Sequence, residues 1–368
     1  MQPTLFRSHH PLNHDQQPQA VLLLAYGGPE SLNQVADFVR HIRGGRPTPD
    51  RLIDEVTERY RVIGGGSPLL RVTNSTARQL QQTLNKPVYV GMRHNQPFIR
   101  DVLGRMARDD ITSCTVICMA PHHSNVSIGA YHKALEQGLQ DLGYDLRYAF
   151  VRAWHRHPRL IRLWTDALRT TLTKAGVTPA TLTQHHRVLF SAHSLPLRGF
   201  APTASGEKAN PRGGPPRGWL RPFASKGRVG QKQNRLRSSK SRDDTYSRQL
   251  RQTAELIALH TPLKPDRWEC VFQSAGASGD AWLGPDICDR LAQLAQQNIR
   301  RVVVAPIGFL AEHVEVLYDL DHEARAIAAE HGITLTRAPM PNDHPDLIAT
   351  LKDLVLGSTG LNGSSDVG

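Results

Sequence analysis

Short continuous runs of Val, Ile, Leu and Ala alternate along this chain with longer amphipathic stretches. The runs fall at residues 21–25, 88–90, 115–119, 188–190, 271–272 and 302–305. Between them, apolar residues recur at helical spacing over residues 32–42, 50–60, 75–84, 98–108, 130–142, 159–174, 246–260, 284–297 and 311–331. A strand apolar on both faces must be covered on both faces, which is the condition of a parallel sheet flanked by crossover helices. The chain is therefore expected to be an α/β protein. In such sheets ligands sit beyond the carboxyl ends of the strands, so chemistry is expected just after each apolar run.

A weak internal echo points to two similar halves. Residues 116–131 read strand, Ala-Pro, polar turn and a helix carrying Tyr131; residues 302–318 read strand, Ala-Pro, Gly turn and a helix carrying Tyr318. The 368 residues suffice for two domains, at roughly 100–200 residues each. The expected division is an N-terminal tail at 1–19, one domain at 20–150, a second at 151–356 and a tail at 357–368. Residues 199–242 interrupt the second domain. They are rich in Gly, Pro, Ser, Lys and Arg and poor in aliphatics, so they cannot bury enough apolar surface to offset their ordering entropy and are expected to be a disordered insertion.

That segment also explains the net charge of +12: residues 198–242 hold 12 Lys/Arg and one acid, and the remainder carries 33 basic and 32 acidic residues. The body is near neutral, so no nucleic-acid partner is expected from the pI. The longest apolar runs are far short of the roughly 20 residues that span a bilayer. The first twenty residues lack the basic start and apolar stretch of a signal peptide. Cys114, Cys118, Cys270 and Cys288 form neither a C-x-x-C pair nor a disulfide framework, which fits a reducing cytoplasm.

Four segments carry candidate chemistry. In Ser191-Ala192-His193-Ser194-Leu195-Pro196 an apolar strand ends in His193, a side chain able to take a proton or bind a borderline metal near neutral pH. After the run at 302–305, Glu315, Asp319 and Glu323 fall at i, i+4 and i+8 and would line one helix face, with Glu312 one turn earlier. Like charges at this spacing cost about 0.2–0.5 kcal/mol per pair, and no Lys or Arg lies between Arg301 and Arg325. Such a stripe suits a cation or a proton, although an acidic surface helix reads the same way. His313, beside Leu317, is expected to be packed or solvated rather than a ligand. Tyr26 closes the first strand before Gly-Gly-Pro, where a phenol could reach a bound ring or metal. The glycines at 64–66 before Ser67 would let the backbone approach a ligand closely, but the Lys and Ser/Thr of a nucleotide loop are missing.

Together these segments resemble the ferrochelatase family. The two signature regions are Ser191–Pro196 and Pro306-Ile307-Gly308-Phe309 with the acidic helix behind it. The segments 63–69, Val90-Gly91-Met92-Arg93-His94 with Pro97-Phe98-Ile99, Ala120-Pro121-His122, Gln273-Ser274 and Trp282-Leu283-Gly284-Pro285 are similar to further family motifs, in the family's order. The resemblance covers residues 20–356 apart from the insertion. It implies two Rossmann-like, chelatase-type domains with a porphyrin in the cleft between them, and Fe²⁺ as a second substrate. By carry-over, His193 and Glu315 face each other where metal enters the ring, and Asp319 and Glu323 form an acidic ladder behind them. No tightly bound cofactor is implied. Members with an iron–sulfur cluster hold it through grouped cysteines near the C-terminus, and the last cysteine here is Cys288, which argues against one.

Tyr26 resembles the tyrosine of coproporphyrin-type members. Arg43, Arg59, Ser67 and Tyr131 match positions that hold propionates in that group, and His94 falls in a porphyrin-binding motif. Guanidinium and hydroxyl donors suit four propionates. The resemblance thus favours coproporphyrin III over protoporphyrin IX, a cytoplasmic monomer and other enzymes of haem synthesis as partners. A sirohydrochlorin-type chelatase and a non-catalytic tetrapyrrole carrier remain the alternatives.

Overall fold

The computed structural model describes residues 17–178, 181–197, 244–275 and 281–357. The expected insertion at 199–242, the tail from 358 and the N-terminal tail up to residue 16 lie outside the described residues. Eight strands are seen among the described residues: β1 Ala20–Ala25, β2 Val88–Met92, β3 Ser113–Cys118, β4 Arg147–Val151, β5 His186–His193, β6 Trp268–Gln273, β7 Arg301–Ala305 and β8 Thr334–Arg337. They form two parallel sheets with orders β2-β1-β3-β4 and β6-β5-β7-β8, so both sheets repeat one topology. The two Ala-Pro pairs of the internal echo follow β3 and β7, which occupy equivalent places.

The helices are α1 Val35–Ile42, α2 Asp50–Val62, α3 Leu69–Leu84, α4 Ile99–Arg108, α5 Ile128–Leu142, α6 Pro158–Lys174, α7 Thr245–His260, α8 Ile287–Gln296, α9 Val314–Leu317, α10 Arg325–Glu330 and α11 Pro345–Leu356. Alternate residues of β1 face opposite layers: Val21 and Leu23 join one core with α3, α6, α7 and α11, while Leu22 and Leu24 join another with α4 and α5. The first core also takes Val188 and Phe190 of β5, so one apolar layer is shared by both sheets. On the far side of the second sheet, Leu189, Val302 and Val304 pack on α8 and α10. No helix among the described residues is long and apolar enough to cross a membrane.

Helix starts are set by local chemistry. The expected helix at 284–297 begins only at Ile287, because the Asp286 carboxylate accepts from the Cys288 and Asp289 N–H groups and fixes the first turn there. Asp244 caps α7 by accepting from Ser247 N at 2.6 Å. Asp244→Ala is expected to lower stability by about 1 kcal/mol. Urea unfolding of the two proteins checks this; an unchanged midpoint would contradict it.

The largest departure lies at 311–331. A single helix is expected there, but the chain makes one α turn (α9), a π turn at Asp319–Ala324 and then α10. The Tyr318 carbonyl accepts from both His322 N at 3.1 Å and Glu323 N at 2.9 Å, which marks the extra residue.

Candidate active site

At β1 and β5 the strand order reverses, and the chain leaves neighbouring strands in opposite directions. The carboxyl ends of both sheets converge there on one cleft of about 1250 Å³, counting its mouth. Tyr26 follows β1, Arg93 follows β2 and His122 follows β3 into the cleft; His193 ends β5, and residues 308–315 enter after β7.

Gly308 makes the two halves of the site meet. A Cβ there would lie 2.4 Å from Ala192 Cβ and 2.7 Å from Ala192 Cα, so only glycine lets the β7 loop close on the end of β5. The loop then delivers Glu315 to His193, with His193 Nε2 3.3 Å from Glu315 Oε1. The other ring nitrogen, Nδ1, donates to the Ser194 carbonyl, which orients the imidazole. Tyr246 from α7 donates to the His193 carbonyl at 3.1 Å.

Glu315 is 8% exposed and its backbone is also held. Gln273 Nε2 donates to the Glu315 carbonyl at 2.5 Å, and Gln273 Oε1 accepts from Ser191 Oγ at 2.9 Å. A second histidine meets the carboxylate: His313 Nε2 lies 3.5 Å from Glu315 Oε2, with Nδ1 3.0 Å from the Ala311 carbonyl. His313 therefore lines the cleft and faces Glu315, and it is packed, as expected, with its ring 4.8 Å from that of Phe309. Burial opposes charge on both members of the central pair. Their mutual attraction wins: it raises the His193 pKa and holds the Glu315 carboxyl far below the usual range.

The acidic ladder is partly reordered. Asp319 sits behind Glu315 and is clasped by Arg59 Nη1 at 3.2 Å and by the Ser274 hydroxyl, with Glu323 lining the same small recess. Arg59 also lies 4.9 Å over the Tyr318 ring. The sequence shows no cation near these acids because Arg59 comes from α2. Glu312 does not extend the stripe; it precedes α9 and pairs with Arg337 at 3.2 Å.

Burial raises the Asp319 carboxyl to about 7, ahead of the lowering by Arg59 and the raising by Glu315. A carboxyl whose pKa is higher in the fold favours the fold while protonated and penalises it once ionised. This contribution is complete below the unfolded value of 3.8 and is lost as pH rises toward 7. The stability of Asp319→Asn relative to wild type is therefore expected to increase from pH 5 to pH 8. Urea midpoints at both values measure it, and a pH-independent difference would contradict the assignment.

Of the expected porphyrin contacts, Tyr26, Ser67 and Tyr131 line the cleft. His94 lies behind them, buried, its ring 4.5 Å from that of Tyr26, and burial lowers its pKa to about 3. It is a neutral support for Tyr26 rather than a lining group. Arg43 does not line the cleft; it donates to the Pro47 carbonyl at 2.6 Å. Arg59 likewise faces Asp319 instead. The triple glycine brings the chain close to itself: a Cβ at Gly66 would lie 2.1 Å from the Glu30 carbonyl oxygen. This contact places Ser67 in the cleft. Gln273, His313, Tyr246 and Arg93 are the site residues whose roles the sequence reading missed. Of these, only Tyr246 fell outside the motifs it singled out.

A family model described as Ferrochelatase matches residues 18–359. A ferrochelatase from Acidobacterium capsulatum is 36% identical over 344 residues, spanning 92% of this chain and 94% of its own. A coproporphyrin III ferrochelatase from Oceanobacillus iheyensis is 30% identical over 348 residues, spanning 91% of this chain and 95% of its own. Among solved structures, SirB from Bacillus subtilis with Fe³⁺ superposes with a TM-score of 0.52 at 10% identity, over 93% of this chain and 96% of that one, a likeness of fold. Because the sequence matches run through both sheets and every segment that builds the cleft, they assign the whole fold rather than one motif, and the chain belongs to the ferrochelatase family.

Proposed function

We propose that the chain inserts Fe²⁺ into coproporphyrin III, with His193 and Glu315 as the pair at which proton and metal are handled. The observation that carries this reading is the 3.3 Å contact between His193 and Glu315 inside the cleft where the carboxyl ends of both sheets converge. Metalation removes two pyrrole protons and requires Fe²⁺ to shed water. Neutral His193 accepts one pyrrole proton through Nε2 while Glu315 stabilises the imidazolium formed; His193 then passes that proton to water and takes the second. An imidazole and a carboxylate make an adequate but incomplete shell for Fe²⁺, so the four ring nitrogens win the ion. Asp319 and Glu323 continue the acidic path by which a hydrated cation approaches. Tyr26, Ser67, Tyr131 and Arg93 line the cleft, and hydroxyl and guanidinium donors of this kind suit a substrate edged with propionates. The product, iron coproporphyrin, would serve haem synthesis.

The second reading is protoporphyrin IX as substrate. It is favoured by Arg43 and Arg59, two of the expected propionate holders, which are engaged with Pro47 and Asp319. Anaerobic Fe²⁺ insertion with the two porphyrins side by side decides. A higher kcat/KM for coproporphyrin III is expected. Preference for protoporphyrin IX would transfer the proposal to that substrate, and turnover of neither would reject Fe²⁺ insertion itself.

A further inference from the structure

We infer that Arg337 is a positioning residue for metal insertion: it clips together the two ends of the segment that carries Glu315 and Asp319. The inference rests on the proposed role of the His193–Glu315 pair. Arg337 is the last residue of β8, whose neighbour in the sheet is β7. Its Nε lies 2.8 Å from Asp321 Oδ1 and its Nη2 2.8 Å from Asp321 Oδ2, a two-pronged contact. The same Nη2 reaches Glu312 Oε1 at 3.2 Å, and Nη1 donates to the Ala338 carbonyl at 3.1 Å. One guanidinium thus holds a carboxylate three residues before Glu315 and another two residues after Asp319.

The segment needs such a clip. It holds Glu312, Glu315, Asp319, Asp321 and Glu323 with no Lys or Arg of its own before Arg325. Its only α turn before the π turn is the four-residue α9. A π turn is a local interruption of the helical ladder and recurs at functional sites. Its place here is set from outside, by Arg59 on Asp319 and by Arg337 on Glu312 and Asp321. All three side chains of the clip are largely covered, with 13% of Arg337, 21% of Glu312 and 22% of Asp321 exposed. Removing the guanidinium leaves Glu312 without its cation and Asp321 with only the more distant Arg325, 3.4 Å away and mostly exposed, so repulsion between the two part-buried carboxylates loosens the turn. Glu315 then moves relative to His193, which stands on a different strand. A lysine retains the charge but cannot reproduce the fork.

The test compares Arg337→Met, Arg337→Lys and Glu269→Gln with wild type and His193→Ala. Glu269→Gln disrupts another partly buried arginine pair of the same sheet, 2.7 Å from Arg290 and remote from the cleft. Fe²⁺ insertion into coproporphyrin III gives kcat, and quenching of intrinsic fluorescence gives porphyrin affinity. A displacement near 1 Å at a reacting group costs about 10²-fold. Arg337→Met is expected to lower kcat by about 10–100-fold on that basis, with porphyrin affinity within about twofold of wild type. Arg337→Lys should fall between, and Glu269→Gln should keep wild-type kcat. Wild-type kcat in Arg337→Lys and in any soluble Arg337→Met would overturn the inference. So would an equal loss in Glu269→Gln, because the effect would then be general instability. Turnover retained by His193→Ala would instead reject the site reading beneath it.

Discussion

His193→Ala is expected to lower kcat for Fe²⁺ insertion by about 10²–10⁴-fold, the usual contribution of a positioned acid or base. Three features make the imidazole hard to replace. Its Nδ1 is committed to the Ser194 carbonyl, so Nε2 is the nitrogen that faces the carboxylate. Its proton affinity is raised by Glu315 against the opposing effect of burial. Its backbone carbonyl is tied to Tyr246, which fixes the end of β5 from which the ring projects. Porphyrin affinity should change little, because the cleft retains Tyr26, Ser67, Arg93 and Tyr131. Glu315 retains His313 as a partner at 3.5 Å, so the variant should fold. A variant with wild-type kcat would mean that protons and metal are handled elsewhere.

Gly308→Val is expected to be nearly as damaging, although residue 308 has no side chain to offer the reaction. The atoms a Cβ would meet are Ala192 Cβ and the Ala192 backbone, and neither is the flexible end of a long side chain. The loop must therefore lift away from β5, and it carries His313 and Glu315 with it. The expected cost is about 10²-fold in kcat for a shift near 1 Å, with about 1–3 kcal/mol of stability lost to overpacking. Gly104→Ala is the matched control. It lies within α4, where the nearest atom to a new Cβ is Arg108 Nη1 at 3.7 Å. Stability and kcat there should stay at or above wild-type values. Wild-type kcat in Gly308→Val would show that the loop tolerates displacement.

The strands that build the cleft were legible because each is buried on both faces and reads as an unbroken apolar run. The edge strands β4 and β8 were not. Arg147-Tyr148-Ala149-Phe150-Val151 and Thr334-Leu335-Thr336-Arg337 each bury a single residue, whereas the other two edge strands, β2 and β6, bury three or more and so keep a readable apolar run. The helix α11 was also missed, although Pro345 at its first position and the His344 cap are a recognisable start. The break in the helix at 311–331 had no local signal, because it depends on arginines from α2 and β8. In the site, His193 and Glu315 stood at the ends of clear strand and loop motifs. The contact of His313 with Glu315 left no helical periodicity, because His313 is an extended cap residue with φ −163°. Arg59 was read as a propionate holder, but it faces Asp319, a partner from the far half of the chain, 260 residues away.

A crystal structure of the protein with metal-free coproporphyrin III bound is expected to show the macrocycle in the cleft lined by Tyr26, Tyr131, His193 and Glu315, with a pyrrole nitrogen about 3 Å from His193 Nε2 or joined to it by one water. A macrocycle bound with its nitrogens facing neither His193 nor Glu315 would contradict the roles given to that pair.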